Sequence, residues 1–242
     1  METSNLKTNT QWKTLYRTAA IMALLIVVAG LTDTITSMLG GEARENTAIS
    51  VVEWFSLFQS TPFYAFSYLG VINITTLTLS IPIYLALCHA HWRTQPAFAA
   101  LAAVFFFLGV AIYISSNTVF SMFALSRQYA AAAEAQKPAL EAIGRALLAQ
   151  GADLTPGTFM GFFFTQVAGL LITGVMLQGR VFSKWLGWLG LAGYLLTFIF
   201  FVLAAFVPGS FDLAIGLAMP GALLLIAYQI LLARGFLHLA GQ

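Results

Sequence analysis

The chain has 242 residues, of which 60% are hydrophobic, 14% aromatic and only 8% charged, with 11 basic and 9 acidic side chains and a mean hydropathy of +0.86. Soluble domains carry about 25% charged residues, and disordered chains are rich in charge and poor in aromatics, so both classes are excluded. The single Cys88 excludes a disulfide framework and paired-cysteine redox or metal motifs, which leaves an integral membrane protein.

A spanning helix needs about 20 mainly apolar residues. Six such runs are predicted, over about 17–39, 63–87, 96–123, 157–178, 185–207 and 213–233. They are continuous and rich in Leu, Ala and Phe rather than short and alternating, which argues against a β-barrel. The expected fold is therefore all-α and polytopic, a single membrane domain over 1–242. The first run is too long for the apolar core of a signal peptide and continues past Asp33 without a small-residue cleavage site, so it reads as a retained span.

Basic residues set the orientation. With the N-terminus inside, the inner segments hold Lys7, Lys13, Arg17, Arg93, Arg180, Lys184 and Arg234 against one acid, Glu2. The outer segments hold Arg44, Arg127, Lys137 and Arg145 together with Glu42, Glu45, Glu53, Glu134, Glu141, Asp153 and Asp212. The asymmetry predicts both termini on the inner side. Trp12, Trp92, Trp185 and Trp188 fall near the inner boundary and Trp54 near the outer one, where the indole N–H reaches the headgroups.

Two outer connections are long and are predicted to carry amphipathic helices. Between the first two spans, Ile49, Val52, Phe55 and Leu57 suit a helix lying in the interface and ending before Pro62. Between the third and fourth, about 124–151, a helical cap is expected. The third span should run on through the Ala-rich stretch and break at Lys137-Pro138. A second helix then starts at Pro138, with Leu140, Ile143 and Leu147 on one face, a Glu141–Arg145 pair on another and Gly151 as C-cap. Asp153, Thr155 and Pro156 read as the start of the fourth span.

The run LSRQYAAAAEAQKPALEAIGRALLA (125–149) resembles a segment of a bacterial and archaeal family of small integral membrane proteins, catalogued as a domain of unknown function. VFSKWLGWLG (181–190) is similar to that family's connection between the fourth and fifth spans, and YQILLARGFLHL (228–239) to its last helix. The resemblance covers nearly the whole chain. It implies six helices in a bacterial cytoplasmic membrane, and it brings no established activity and no catalytic residues.

Polar groups inside a bilayer are the default place to seek function. Asp33 is the only acid embedded in a span and lies about six residues, roughly 9 Å, from the outer end of its helix. Asn73 lies roughly 15 Å deep in the second span, and Asn117 and Gln166 between roughly 9 and 14 Å deep in the third and fourth. Their flanks are polar too, with Thr32, Thr34, Thr36, Thr75, Thr76, Ser80, Ser115, Ser116, Thr118 and Thr165. Asp33, Asn73, Asn117 and Gln166 are thus candidates for a ligand-binding pocket among the first four helices, opening outward beneath the cap. The competing account is interhelical hydrogen bonding at about 0.6 kcal/mol per contact. Asp33 needs a partner, a water path or a shifted pKa, and Arg127 and Arg44 are its candidate partners.

No nucleophile elbow, zinc-protease motif, phosphate loop or dinucleotide fingerprint is present. His89, His91 and His238 fall at the inner edge rather than within the bundle, so they are read as surface histidines and not as haem or metal ligands. No cofactor, metal or nucleic acid is expected; membrane lipids are the expected surroundings. The leading expectation is binding or movement of a small solute or lipid-like molecule. The alternatives are an accessory subunit docked on another membrane protein, and a lipid-modifying enzyme with Asp33 as base.

Overall fold

The computed structural model describes residues 2–39, 49–152 and 155–242, and among these there is no strand. Glu2–Leu39 forms α1, Val51–Ser60 α2, Pro62–Tyr68 α3, Val71–His91 α4, Pro96–Ser116 α5 and Val119–Ala131 α6. After a 3₁₀ turn at Glu134–Gln136 follow α7 (Lys137–Gly151), α8 (Pro156–Gln178), α9 (Lys184–Phe206) and α10 (Phe211–Gly241). Pro62, Pro96, Pro138 and Pro156 each sit in the first turn of a helix, where a missing N–H costs nothing. Ser50 and Glu53 form a reciprocal cap at the start of α2.

Six helices among the described residues are long and apolar enough to cross a membrane. α1, α4, α5, α8, α9 and α10 stand in a ring in chain order, each packed on the next, and α10 packs back on α1. The outward surface is apolar: Trp185 is 79% exposed and Leu223 66%. Water would penalise such a face, whereas lipid accepts it.

Small residues let these helices approach closely. A Cβ at Gly109 of α5 would meet the Gly161 carbonyl of α8 at 2.8 Å. Gly190 abuts Thr173 and Tyr228, and Gly193 abuts Leu225. Gly169, Gly187, Gly190 and Gly193 therefore serve packing within the chain.

Two spans are shorter than their hydropathy predicts. The run read as 63–87 is two helices: Gly70, at φ +96°, turns the chain between α3 and α4, a conformation that favours glycine. The spanning helix is Val71–His91, so Asn73 lies in its first turn rather than roughly 15 Å deep. The run read as 96–123 breaks at Asn117 and Thr118. The Asn117 carboxamide donates to the Leu69 carbonyl (2.8 Å) and accepts from the Val119 N–H (3.0 Å), replacing backbone bonds that a continuous helix would make.

The loop helices form a second core. Val51, Phe55 and Phe58 of α2 face Val119, Met122 and Leu125 of α6, so the buried stripe of α2 includes Phe55 as expected, while Val52 is exposed. α7 packs on α2 through Gly144, against Val51 and Phe55. The Tyr129 hydroxyl donates to Glu141 (2.9 Å), which also faces Arg145 at 3.9 Å. Gly151 is no left-handed cap; it is the last residue of α7 and lies so close to the break that a Cβ would meet the Ser116 carbonyl at 2.2 Å. Thr118 closes the joint by donating to the Leu147 carbonyl (2.9 Å).

At the opposite end of the ring, the Tyr16 hydroxyl hydrogen-bonds His89 Nδ1 (2.8 Å) and Trp12 stacks on the same imidazole at 3.5 Å. His91 is not a surface residue: it is wholly buried beside Phe182. The apolar environment follows from Gly179, which leaves room for the imidazole where a side chain would collide with it.

Candidate functional site: a chamber inside the ring

Among the helices of the ring lies a partly open cavity of about 300 Å³ to which all six long helices contribute. Asp33 and Thr34 come from α1, Asn73, Thr76 and Ser80 from α4, and Thr165 and Gln166 from α8. Tyr194 and Thr197 of α9 and Gln229 of α10 complete the polar lining. The chamber is thus not confined to the first four helices, as the sequence suggests; the last two supply three of its polar side chains.

The hydroxyls divide into two groups. Thr34 donates to the Gly30 carbonyl (2.9 Å), Thr76 to Asn73 (3.1 Å) and Ser80 to Thr76 (2.8 Å), each within its own helix. Such back-bonding satisfies the donor and leaves oxygen lone pairs facing inward. Thr197 also reaches a neighbouring helix: its hydroxyl lies 2.9 Å from Gln166 Oε1 as well as 2.9 Å from the Gly193 carbonyl of its own helix, and its one proton serves either acceptor. Gln229 differs from both: its Oε1 is buried and, among the described residues, has no hydrogen-bond partner. An orphaned buried acceptor costs about 1–3 kcal/mol.

Aromatic side chains shape the remainder. Tyr84 stacks on Phe106 with ring centres 3.8 Å apart, and Phe162 on Phe201 at 4.0 Å. Tyr84 of α4 and Tyr194 of α9 both line the chamber.

The structure brings Asp33, Asn73 and Gln166 to this one cavity and leaves Asn117 out of it. Asn117 sits at the α5–α6 break, occupied by its two backbone partners and 3.4 Å from the Tyr113 hydroxyl. Of the candidate partners for Asp33, Arg127 is exposed on α6 and Arg44 lies outside the described residues, as does Asp153. Tyr84, Tyr194 and Gln229 escape a sequence reading centred on the outer half, because they lie in the half of the bundle away from the cap. The signal for Gln229 is the same as for Gln166, a carboxamide within an apolar run.

Fold and chamber together define a multi-pass helical membrane protein built around an internal cavity. Residues 18–235 match the family model described as Domain of unknown function (DUF4386), and the chain belongs to that family. No curated protein and no solved structure matches the chain.

Proposed function

We propose that the protein binds, and by alternating exposure of the chamber moves, a small solute in a bacterial cytoplasmic membrane, with both termini inside and the α2–α7 cap outside. The observation that carries the reading is the cavity of about 300 Å³ itself, to which Asp33, Asn73, Gln166 and Gln229 from four different helices all contribute. Helices that needed only mutual packing would fill that space. The volume lies at the lower end of the range for small-molecule sites, roughly 300–1,000 Å³. The orientation is supported by the charges: Arg17, Arg93, Arg180, Lys184 and Arg234 belong to the end opposite the cap.

Gly30 supplies the test. It lines the cavity, and a Cβ there meets nothing within 4 Å, so Gly30→Trp fills the chamber without disturbing the helix. Native mass spectrometry of the protein extracted with its lipids should find a small molecule retained by the parent and absent from Gly30→Trp. Identical spectra without a small molecule, or a second protein at fixed stoichiometry in its place, would overturn the reading.

A further inference from the structure

The outward side of α9 carries a stripe whose chemistry changes with depth. Lys184, Trp185, Trp188, Ala192, Leu195 and Ile199 are all exposed. Their spacing of one, three, four, three and four residues puts them on one side of the helix. The other side faces the bundle: Gly187 abuts Leu177 of α8, Gly190 abuts Thr173 of α8 and Tyr228 of α10, and Gly193 abuts Leu225 of α10. Lys184 opens the helix, and Arg180, exposed in the connection from α8, precedes it by four residues.

Charge, exposure and length together select what covers this stripe. The sequence holds no acidic side chain between Asp153 and Asp212, and none after Asp212. Arg180 and Lys184 therefore meet no carboxylate on α9, nor on the ends of α8 and α10 beside them, and the place favours an anion. The indoles just beyond are 79% exposed at Trp185 and 57% at Trp188. An indole so placed suits the headgroup boundary, where its N–H donates to lipid oxygens and its ring lies against the chains. Below the indoles the stripe is apolar. From Lys184 to Ile199 is 15 residues, roughly 22 Å at 1.5 Å per residue, which matches half of a bilayer about 40–45 Å across with its headgroups. A water-soluble anion would use the two cations and leave the rest bare. A zwitterionic lipid would bring its ammonium to a place without a carboxylate.

We propose that this face holds one anionic phospholipid of the leaflet at the basic end. Its phosphate lies between Arg180 and Lys184, its glycerol esters accept from the Trp185 and Trp188 N–H groups, and one acyl chain runs along Ala192, Leu195 and Ile199. The site lies outside the ring and stands independently of the chamber.

Native mass spectrometry of the full-length protein, delipidated and then titrated with dioleoyl phosphatidylglycerol or dioleoyl phosphatidylcholine, separates the head from the chains. One phosphatidylglycerol should bind more tightly than any phosphatidylcholine. Arg180→Gln combined with Lys184→Gln should weaken that lipid by roughly thirtyfold, the effect of two interfacial cations, and leave phosphatidylcholine unchanged. Trp185→Ala combined with Trp188→Ala should weaken both lipids. Arg17→Gln combined with Arg93→Gln makes the same charge change away from α9 and should leave the tight phosphatidylglycerol in place. All four basic side chains are exposed, so these variants should unfold at the parent temperature in detergent. Three results would each overturn the assignment. The first is equal binding of the two lipids. The second is an equal loss in both charge variants, which would spread the preference over the whole basic end. The third is a second copy of the chain retained in place of lipid and released by Ala192→Trp, which would make the face a dimer contact.

Discussion

Tyr194 occupies the space that a side chain at residue 169 would need: a Cβ on Gly169 would stand 2.3 Å from the Tyr194 ring. The glycine of α8 thereby admits an aromatic ring of α9 that lines the chamber. Gly169→Ala forces that ring away, because the colliding atoms include Cγ at the base of the ring, which no rotation of a flexible tip can relieve. Overpacking of this kind costs about 1–3 kcal/mol. A lowered unfolding temperature in detergent, together with weakened ligand retention, is the expected result; an unchanged pair of values would contradict the packing of Tyr194 on Gly169.

His91 offers the opposite sign. Its ring is fully buried and neither nitrogen has a hydrogen-bond partner among the described residues. His91→Leu keeps comparable volume and removes two unsatisfied polar atoms, so it should stabilise the basic end by about 1–2 kcal/mol. Thermal unfolding in detergent checks this. A drop in stability would mean that the imidazole nitrogens are engaged in the folded protein.

Glu53 makes the start of α2 sensitive to acid. The Ser50 backbone N–H donates to its carboxylate at 2.6 Å, and the Ser50 side chain adds to this, holding the Glu53 carboxyl below its usual range. A depressed carboxyl contributes stability that is present above the ordinary value of about 4.3 and is lost as pH falls through the lower folded value. Amide exchange in residues 51–54, corrected for intrinsic rates, should therefore accelerate below about pH 4. Glu53→Gln should exchange at the same rate across that range; a residual acid response in the variant would assign it to another group.

Asn117 and Gln166 should behave differently on substitution, since only Gln166 lines the chamber. Asn117→Ala removes bonds to the Leu69 carbonyl and the Val119 N–H and should destabilise the α5–α6 joint by about 1–2 kcal/mol. Exchange should rise in 117–122 while ligand affinity holds. Loss of affinity at full stability would return Asn117 to the binding site.

Orientation is testable with thiols. In a Cys88→Ala background, a membrane-impermeant maleimide should label Ala133→Cys, exposed in the cap, in intact cells. Gln242→Cys should label only after permeabilisation. The reverse pattern would invert the topology.

The sequence is explicit about the ring and silent about its interior, for a physical reason. Hydropathy reports what lipid accepts, so six apolar runs are plain, as are the prolines that open α3, α5, α7 and α8. It does not report where a helix turns within an apolar run. Gly70 and Asn117 interrupt stretches whose hydropathy stays high, and each does so through backbone geometry. Depth misleads in the same way: Asn73 is deep if measured from Phe63 and shallow when measured from Val71, where the helix begins. Which face of α9 and α10 looks inward depends on the closure of the ring, which no single helix encodes, and so Tyr194 and Gln229 become visible only in three dimensions.

The contact between α10 and α1 has a consequence for biogenesis. Five of the six ring contacts join spans that follow one another in the chain, and each of those pairs can form as soon as its second helix enters the bilayer. The α1–α10 seam joins the most distant pair, so until α10 inserts, the ring is an open crescent and Asp33, Thr165 and Gln166 face lipid through a missing wall. A ribosome that stalls before α10 leaves polar side chains exposed to hydrocarbon, a mark by which membrane quality control could tell an unfinished molecule from a complete one. The chamber is thus the last feature of the protein to come into being, and it exists only in molecules whose ring has closed.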